Sequence, residues 1–310
     1  VLLGAWEAAD AFLYTAAGQR NRNHTGPFVR FENVPFAMEE ILFDPQTSGG
    51  LLLAVAPQDA DALEAELKKV GLPAAIVGKI LEKEEKLPIM LSQEQLKRLA
   101  AEKAVEFVPD NEYIGIGTGS TVNEFIKALA VSGKHIKGAV STSKATSELL
   151  AQVGIPEVQL NEVSRLAVYV DGADEVNHSL QMIKGGGGAH LNEKIVANVS
   201  DTFVCIADES KYVSRLGKFP LPVEVIPMAR SMVSRKLVAM GGQPELRVGF
   251  ITFNGHQIVD VHDMDLSRPI TSEDAVNKIP GVVENGLFAH NAADVLVLAK
   301  QSGVEVIYPN

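Results

Sequence analysis

The chain has 310 residues, of which 46% are hydrophobic and 22% are charged, which is ordinary for a globular protein with room for two domains. The net charge of −11 argues against a protein that coats nucleic acid or binds an anionic membrane. No apolar run approaches the ~20 residues that span a membrane. The single cysteine, Cys205, excludes an internal disulfide and predicts a buried thiol in a cytoplasmic protein.

Residues 1–89 differ in pattern from the remainder and predict a partial α+β fragment. A turn-rich loop leads into a predicted strand at 51–55. An amphipathic helix is predicted over 59–70, and a short strand over 74–77 completes a βαβ-like unit. The charged stretch 82–86 is typical of a linker, so a domain boundary is predicted just after it.

From residue 90 onward, strands and helices alternate. Ser92 and Gln95 form a capping-box pattern that predicts the start of a helix. Further strands are predicted near 113–116, 137–140, 166–170, 202–207 and 293–298. The alternation predicts an α/β fold with a mostly parallel doubly wound sheet, in a catalytic domain made of residues 90–216 and 293–310.

Residues 217–292 predict a smaller α+β domain inserted between those two parts. Its predicted elements are a strand over 223–226, a helix over 228–240 and two strands over 250–253 and 257–261. The Asn254-Gly255 pair between the last two is a hairpin signal. So small a unit is not expected to bury both of its faces alone, which predicts a lid or oligomerisation role and a homodimer or homotetramer.

Four charged residues in one short stretch give the strongest functional signal. Asp171 and Asp174 follow the predicted strand over 166–170, at the edge where open α/β sheets bind ligands. Lys184 precedes four glycines, which let backbone N–H groups approach an anion closely. Glu193 lies on a predicted helix. The set predicts proton-transfer chemistry on a polar anionic substrate.

Each of these residues also has an ordinary structural explanation. The aspartates suit a turn and a solvated surface, the lysine and glycines suit a hinge, and Glu193 suits a surface helix with a lysine partner. These explanations weaken because the motifs all fall at carboxyl ends of strands in one predicted sheet, where they can converge on a single pocket.

A second glycine-rich stretch, residues 115–121, joins a predicted strand to a predicted helix. Its spacing fits neither a dinucleotide fingerprint, since Ser120 stands where the third glycine is needed, nor a P-loop. Glycines and hydroxyls at a helix amino terminus form a phosphate cradle. A tight turn with Ser120 as N-cap explains the same residues equally well. No second histidine stands at a ligand spacing from His262, so no metal is predicted.

Residues 43–55, with the core Asp44-Pro45-Gln46-Thr47-Ser48-Gly49-Gly50-Leu51-Leu52, closely resemble the carboxyl-terminal end of selenophosphate synthetase (selenide, water dikinase). The resemblance spans residues 1 to about 80 and covers only the tail of that family. It does not include the family's glycine-rich loop with its reactive cysteine or selenocysteine and lysine, nor the aspartates that bind metal and nucleotide. The resemblance therefore implies a fragment without dikinase chemistry.

Residues from about 91 to 310 resemble type A ribose-5-phosphate isomerase along their whole length. The matching runs are 117–121, 169–175, 182–187, 193–195, 207–211 and 219–229. The last run is long enough that chance agreement is implausible. One departure is Gly188-Ala189-His190, where smaller residues are expected, and it touches no catalytic position.

This resemblance implies an aldose–ketose isomerase of the non-oxidative pentose phosphate pathway that needs no metal or cofactor. Glu193 is implied as the base that moves a proton between C2 and C1 through an enediolate. Lys184 and the glycine N–H groups are implied to stabilise the oxyanion. Asp171 is implied to assist ring opening, and Asp174 to position hydroxyls and Lys184.

The resemblance also implies a set of residues that bind the phosphosugar. They are Thr118, Gly119, Ser120, Thr121, Asp171, Gly172, Ala173, Asp174, Lys184, Gly185, Gly186, Gly187, Lys211 and Lys97. The stretch from Thr118 to Thr121 is implied to hold the phosphate, with the last two lysines supplying positive charge.

Two other functions are compatible with parts of the sequence. A non-catalytic module that binds or senses sugar phosphates keeps the phosphate loop but needs no base, so Glu193 beside Lys184 argues against it. A bifunctional fusion that also makes selenophosphate requires the missing half of the dikinase. A front segment that only mediates an interaction remains open.

Overall fold

The computed structural model describes residues 91–309 and, before them, residues 21, 38, 39, 41, 55–72, 74 and 75. The chain divides into two compact units, Val1–Met90 and Leu91–Asn310. Within these described ranges, no helix combines the length and the apolar character needed to cross a membrane.

The described part of the first unit contains helix α1 (Ala60–Lys69), which follows a 3-10 turn at Pro57–Asp59. The helix predicted over 59–70 is therefore confirmed. None of its residues is buried. Ala74 and Ala75 are not in a strand, although a strand is predicted from residue 74. The predicted strand at 51–55, the end of the strand at 74–77 and the linker lie wholly or mostly outside the described residues.

The second unit contains thirteen strands within residues 91–309. They are β1 (Tyr113–Ile116), β2 (Gly138–Ser141), β3 (Val168–Gly172), β4 (Glu175–Val176), β5 (Met182–Ile183), β6 (Phe203–Asp208), β7 (Leu221–Val225), β8 (Gln243–Leu246), β9 (Gln257–His262), β10 (Val282–Asn285), β11 (Leu287–Phe288), β12 (Val295–Lys300) and β13 (Gly303–Ile307). Six form the main sheet, in the order β13-β12-β6-β3-β1-β2. Its neighbours are parallel except β12 and β13. The predicted parallel α/β sheet is confirmed, with one antiparallel edge strand that was not predicted.

Six helices of this unit connect and cover the strands. They are α2 (Gln93–Ala104), α3 (Ser120–Val131), α4 (Lys144–Val153), α5 (His190–Asn198), α6 (Arg230–Ala239) and α7 (Pro269–Asn277). Helix α2 begins with the predicted capping box. The Ser92 hydroxyl accepts the Gln95 N–H at 3.2 Å, and the Gln95 side chain accepts the Ser92 N–H at 2.8 Å.

The main sheet is buried on both faces. In β3, Val168 and Val170 belong to one hydrophobic cluster and Tyr169 to another on the opposite face, because successive side chains of a strand alternate. Strand β3 lies inside the sheet, so its carboxyl end opens near the middle of the edge. Cys205 is buried as predicted, and burial raises the pKa of its thiol to about 12.

Residues 221–285 form an antiparallel sheet of four strands in the order β10-β7-β9-β8. Val223 and Val261 of this sheet share a buried cluster with Val233 and Leu237 of α6. A third sheet, β11-β5-β4, was not predicted, because strands of two residues leave almost no pattern in a sequence.

The strand predicted over 250–253 is wrong. Strand β9 pairs with β7 on one side and β8 on the other, and residues 247–256 form a loop between β8 and β9. Ile251 and Phe253 are 58% and 78% exposed although Thr252 between them is buried, and none of the described strands pairs with this run. Asn254-Gly255 does form a tight turn, but inside the loop, where the Gly255 N–H donates to the Thr252 carbonyl at 2.9 Å.

Candidate active site

The carboxylate of Asp171 lies at the centre of the site, at the carboxyl end of β3. It is fully buried and accepts four hydrogen bonds. Oδ1 accepts the N–H groups of Thr118 at 3.0 Å and Gly172 at 2.7 Å. Oδ2 accepts the Tyr169 hydroxyl and the Lys184 ammonium, the latter at 2.7 Å. Four donors make a buried negative charge tolerable.

The approach of β1 to β3 requires a glycine at residue 117. A Cβ built there would lie 1.8 Å from Asp171 Cγ, far inside any van der Waals contact. The glycine of this loop is therefore needed for the packing of the carboxylate, in addition to any role in binding an anion.

Lys184 joins the two carboxylates of the site. Its Nζ lies 2.7 Å from Asp171 Oδ2 and 3.2 Å from Glu193 Oε2, and it also donates to the Gly172 carbonyl. Burial alone would lower the pKa of this ammonium. The Asp171 and Glu193 carboxylates outweigh burial, so the pKa lies above its ordinary value and the lysine stays charged.

Glu193 stands in the first turn of α5 and is buried, with a relative exposure of 4%. Burial raises the pKa of its carboxyl to about 8, the negative charge of Asp171 adds to the increase, and Lys184 opposes it. The pKa of this carboxyl therefore lies near neutrality, which suits a group that must both take up and return a proton.

A second buried cation holds α5 from behind. Lys194 Nζ contacts Glu273 Oε1 and Glu284 Oε1, each at 2.8 Å, and the Asn285 carbonyl at 3.0 Å. These acceptors belong to α7 and β10. The residue beside the candidate base is therefore tied by charged contacts to α7 and to the four-stranded antiparallel sheet.

The other end of the site is the amino terminus of α3. Gly119 is its N-cap, with a φ of +129°, and among the described residues no side chain caps the helix. Ser120 is the first helical residue, so the alternative of Ser120 as N-cap is not found. The first N–H groups of a helix have no partner inside the helix, and at this terminus no side chain from the described part of the chain serves as a capping acceptor. Such a terminus attracts a phosphate.

Two lysines stand beside this terminus. Lys97 of α2 and Lys211 border the same cavity, and neither has an ion pair within the described part of the chain. Their charges are free to meet an anion.

These groups line one cavity of about 180 Å³. Of the residues predicted to act in catalysis or to bind the sugar, those at the wall are Lys97, Thr118, Gly119, Ser120, Thr121, Gly172, Ala173, Asp174, Lys184, Gly185, Gly186, Gly187, Glu193 and Lys211. Asp171 is the exception: it lies behind the wall and reaches the cavity only through its hydrogen-bond partners.

Gln93 and Val122 also line the cavity and were not singled out from the sequence. Gln93 stands four residues before Lys97 on α2, so the helical spacing to a predicted phosphate-binding lysine is the signal that could have identified it. Within residues 91–309 and the earlier described positions, no group of three or more His, Cys, Asp or Glu residues is arranged to hold a metal ion.

The front of the chain matches a different family from the remainder. Residues 22–89 match the family model described as AIR synthase related protein, C-terminal domain. This match supports the resemblance of the front segment to the tail of selenophosphate synthetase.

The remainder matches known isomerases. Residues 138–303 match the family model of ribose 5-phosphate isomerase A (phosphoriboisomerase A). Ribose-5-phosphate isomerase A of Neisseria meningitidis serogroup C is 74% identical over 220 residues, which are 71% of this chain and 99% of that protein.

Solved structures agree with this result. The crystal structure of ribose 5-phosphate isomerase A from Neisseria gonorrhoeae is 72% identical, with a TM-score of 0.71, and the match covers 71% of this chain and 99% of that one. The ribose 5-phosphate isomerase A structure from Methanocaldococcus jannaschii is 41% identical, with a TM-score of 0.66, over 70% of this chain and all of that one. The chain belongs to the ribose 5-phosphate isomerase A family.

Proposed function

We propose that the chain interconverts D-ribose 5-phosphate and D-ribulose 5-phosphate by proton transfer through an enediolate. The observation that carries this proposal is the pairing of Glu193 with Lys184, 3.2 Å apart, in a cavity whose opposite end is an uncapped helix terminus. One end supplies a base and a cation, and the other supplies an anion site, as an open-chain aldose phosphate requires.

The substrate phosphate binds at the first turn of α3, with Lys97 and Lys211 providing positive charge. This anchoring directs C1 and C2 of the open-chain sugar toward Glu193. Holding the reacting carbon against a fixed base is itself a large contribution to the rate. Asp174 lies on the cavity wall, where it can accept hydrogen bonds from sugar hydroxyls.

Glu193 in its carboxylate form removes the proton from C2 of the aldose. The electron pair of the C2–H bond forms the C1–C2 double bond, and the carbonyl oxygen O1 takes the negative charge. Lys184 faces that charge and stabilises it. Return of the proton to C1, with transfer of the hydroxyl proton from O2 to O1, gives the ketose.

Asp171 acts through Lys184 in this proposal. It is buried behind the wall and its oxygens are occupied by four donors, so it orients the ammonium and keeps it charged. A direct role in ring opening, which the resemblance implies, is less well supported by this position.

A module that only binds sugar phosphates does not require a buried carboxyl such as that of Glu193. Burial raises the pKa of this carboxyl to about 8, which lowers the stability of the folded state as the pH rises above 4.5. The match of residues 22–89 to a C-terminal domain alone gives no support for dikinase activity.

We also propose that residues 90–216 and 293–310 form the catalytic domain, and that residues 217–292 serve as a lid or oligomer contact. The enzyme is proposed to be a cytoplasmic homodimer or homotetramer. Light scattering that shows a monomer at micromolar concentration would contradict the oligomer.

The test is conversion of ribose 5-phosphate to ribulose 5-phosphate by the purified full chain. Ribose without phosphate should be a very poor substrate, and inorganic phosphate should compete with the phosphosugar. No isomerisation, or equal use of ribose and ribose 5-phosphate, would contradict the proposal. The exposed pair Arg215–Asp265 offers a control, because Arg215→Met should leave the rate unchanged.

A further inference from the structure

Arg247, which follows β8, contacts the glycine-rich segment of the site and does not itself line the cavity. Its guanidinium pairs with Asp260 through two contacts, Nε to Oδ2 at 2.8 Å and Nη2 to Oδ1 at 2.5 Å. The remaining Nη1 donates to the carbonyls of Gly185 and Gly186, both at 3.1 Å. The paired carboxylate thus fixes the guanidinium, and the guanidinium fixes two carbonyls.

Those carbonyls belong to a four-residue turn. The Gly188 N–H donates to the Gly185 carbonyl at 2.9 Å, which closes the turn around Gly186 and Gly187. Neither of these central residues has a positive φ, so the turn is of type I and not of type II. The two types differ by about 150° in ψ of the first central residue and about 170° in φ of the second, which turns the central peptide over.

Glycine at both central positions removes the usual steric barrier between these two turn types. Asp174 Oδ2 accepts the Gly186 N–H at 2.8 Å and so helps to hold the first peptide of the turn. The central peptide, made of the Gly186 carbonyl and the Gly187 N–H, is held by Arg247 alone among the described residues.

The orientation of this peptide decides whether its N–H or its carbonyl faces the cavity. In a trans peptide the N–H points opposite to the C=O. Arg247 does not line the cavity, whereas Gly187 does, and the Gly187 N–H donates no hydrogen bond within the described part of the chain. With the Gly186 carbonyl held by Arg247, the Gly187 N–H is presented to the substrate side as a free donor.

We infer that Arg247 is a positioning residue for catalysis: it selects the type I turn, so that the Gly187 N–H joins Lys184 in stabilising the enediolate oxyanion. This inference rests on the proposed isomerase activity. The charged donor on the Gly186 carbonyl also polarises the peptide and strengthens its N–H as a hydrogen-bond donor. Arg247 itself touches neither substrate nor reacting atoms.

The test compares Arg247→Met with Arg247→Lys, Asp260→Asn and the control Arg215→Met, whose ion pair with Asp265 is exposed. For Arg247→Met we expect kcat to fall about 10- to 100-fold, less than or equal to the loss of a complete oxyanion donor. KM should stay within about threefold, since the N–H acts mainly on the transition state. Arg247→Lys and Asp260→Asn should have intermediate kcat values, and the control should match the parent.

Inhibition separates positioning from general damage to the fold. The first probe is 4-phosphoerythronate, a four-carbon acid phosphate whose carboxylate carries two oxygens like those of the enediolate. The second is inorganic phosphate, which tests only the helix terminus. Arg247→Met should weaken inhibition by the first probe in proportion to the loss of kcat and leave inhibition by the second unchanged.

Three results would overturn the inference. One is an unchanged kcat in Arg247→Met while the parent is active. Another is equal weakening of both inhibitors. The third, if Arg247→Met does not fold, is parent-like kcat and inhibition in the milder Asp260→Asn. An inactive parent would instead refute the proposed function on which the inference depends.

Discussion

Replacing Glu193 by glutamine tests the candidate base through both activity and stability. The amide keeps the shape of the side chain but cannot take a proton from carbon. Turnover should therefore fall by at least the ~10²–10⁴-fold that is typical of a lost general base, while substrate still binds. In the parent, kcat/KM should rise with pH until the carboxyl, whose pKa is about 8, is ionised.

The stability effect follows from the same pKa. Burial, with a further contribution from Asp171, raises it from the ordinary value of 4.5 to about 8, so the folded state keeps this proton at a pH where the unfolded state has lost it. The stabilisation of the folded state that comes from this bound proton is complete below pH 4.5 and is lost as the pH rises through 8. The full loss is on the order of 5 kcal/mol, at 1.36 kcal/mol per pH unit. Glutamine does not titrate, so Glu193→Gln lacks this loss.

Urea unfolding followed by circular dichroism at pH 5, 7 and 9 measures the effect. The free energy of unfolding of Glu193→Gln should gain on the parent by a few kcal/mol between pH 5 and pH 9. Glu148→Gln on α4 is the matched control, because that side chain is 62% exposed beside Lys144. Parallel pH profiles for parent and Glu193→Gln, or activity within a few-fold of the parent, would refute the reasoning.

Three further changes test the surroundings of the site. Lys194→Met leaves the buried Glu273 carboxylate and the half-buried Glu284 carboxylate without a cation and should destabilise the fold by about 3–5 kcal/mol in thermal or urea unfolding, whereas the exposed Lys144→Met should have almost no effect. Gly117→Ala places a methyl group against the Asp171 carboxylate and should abolish measurable turnover, and near-parent activity would show that the loop can move aside. Deleting residues 1–89 should leave isomerase activity and Tm nearly unchanged, and failure of the shortened chain to fold would make the front segment an integral part of the enzyme.

The elements that the sequence predicts correctly are those specified by neighbouring residues. The capping box of α2 depends on two side chains three residues apart, and the burial of β3 appears as a continuous apolar run. Thr118, Asp171 and Lys211 likewise lie where strands of the main sheet end at one edge, so their proximity in the structure follows from the fold class. Lys184 instead follows β5 of the three-stranded sheet, so the prediction that all the motifs follow strands of one sheet is wrong for this residue.

The features that escape prediction depend on contacts distant in sequence. Arg247 bonds carbonyls 61 and 62 residues earlier, and a carbonyl looks the same in every residue type. Lys194 meets carboxylates 79 and 90 residues later, although its position beside Glu193 suggests a solvated surface lysine. The strand wrongly predicted at 250–253 has the right composition and a turn signal, but no neighbouring strand pairs with it.

The carboxylate of Asp171 fixes the distance between two groups that border the cavity. One of its oxygens accepts the Thr118 N–H at 3.0 Å and the other accepts the Lys184 ammonium at 2.7 Å, so a single rigid group sets the spacing between the proposed anion site and the lysine proposed to stabilise the enediolate. Because this carboxylate is buried and accepts four hydrogen bonds, the distance between the groups that it holds does not adjust to a longer or shorter sugar. We expect kcat/KM for ribose 5-phosphate to exceed that for erythrose 4-phosphate or glucose 6-phosphate by orders of magnitude. Similar values for all three sugars would show that the fixed distance does not select the substrate. Selection by carbon number then needs no contact with the extra or missing carbon, since a sugar of the wrong length brings the wrong atoms to Glu193.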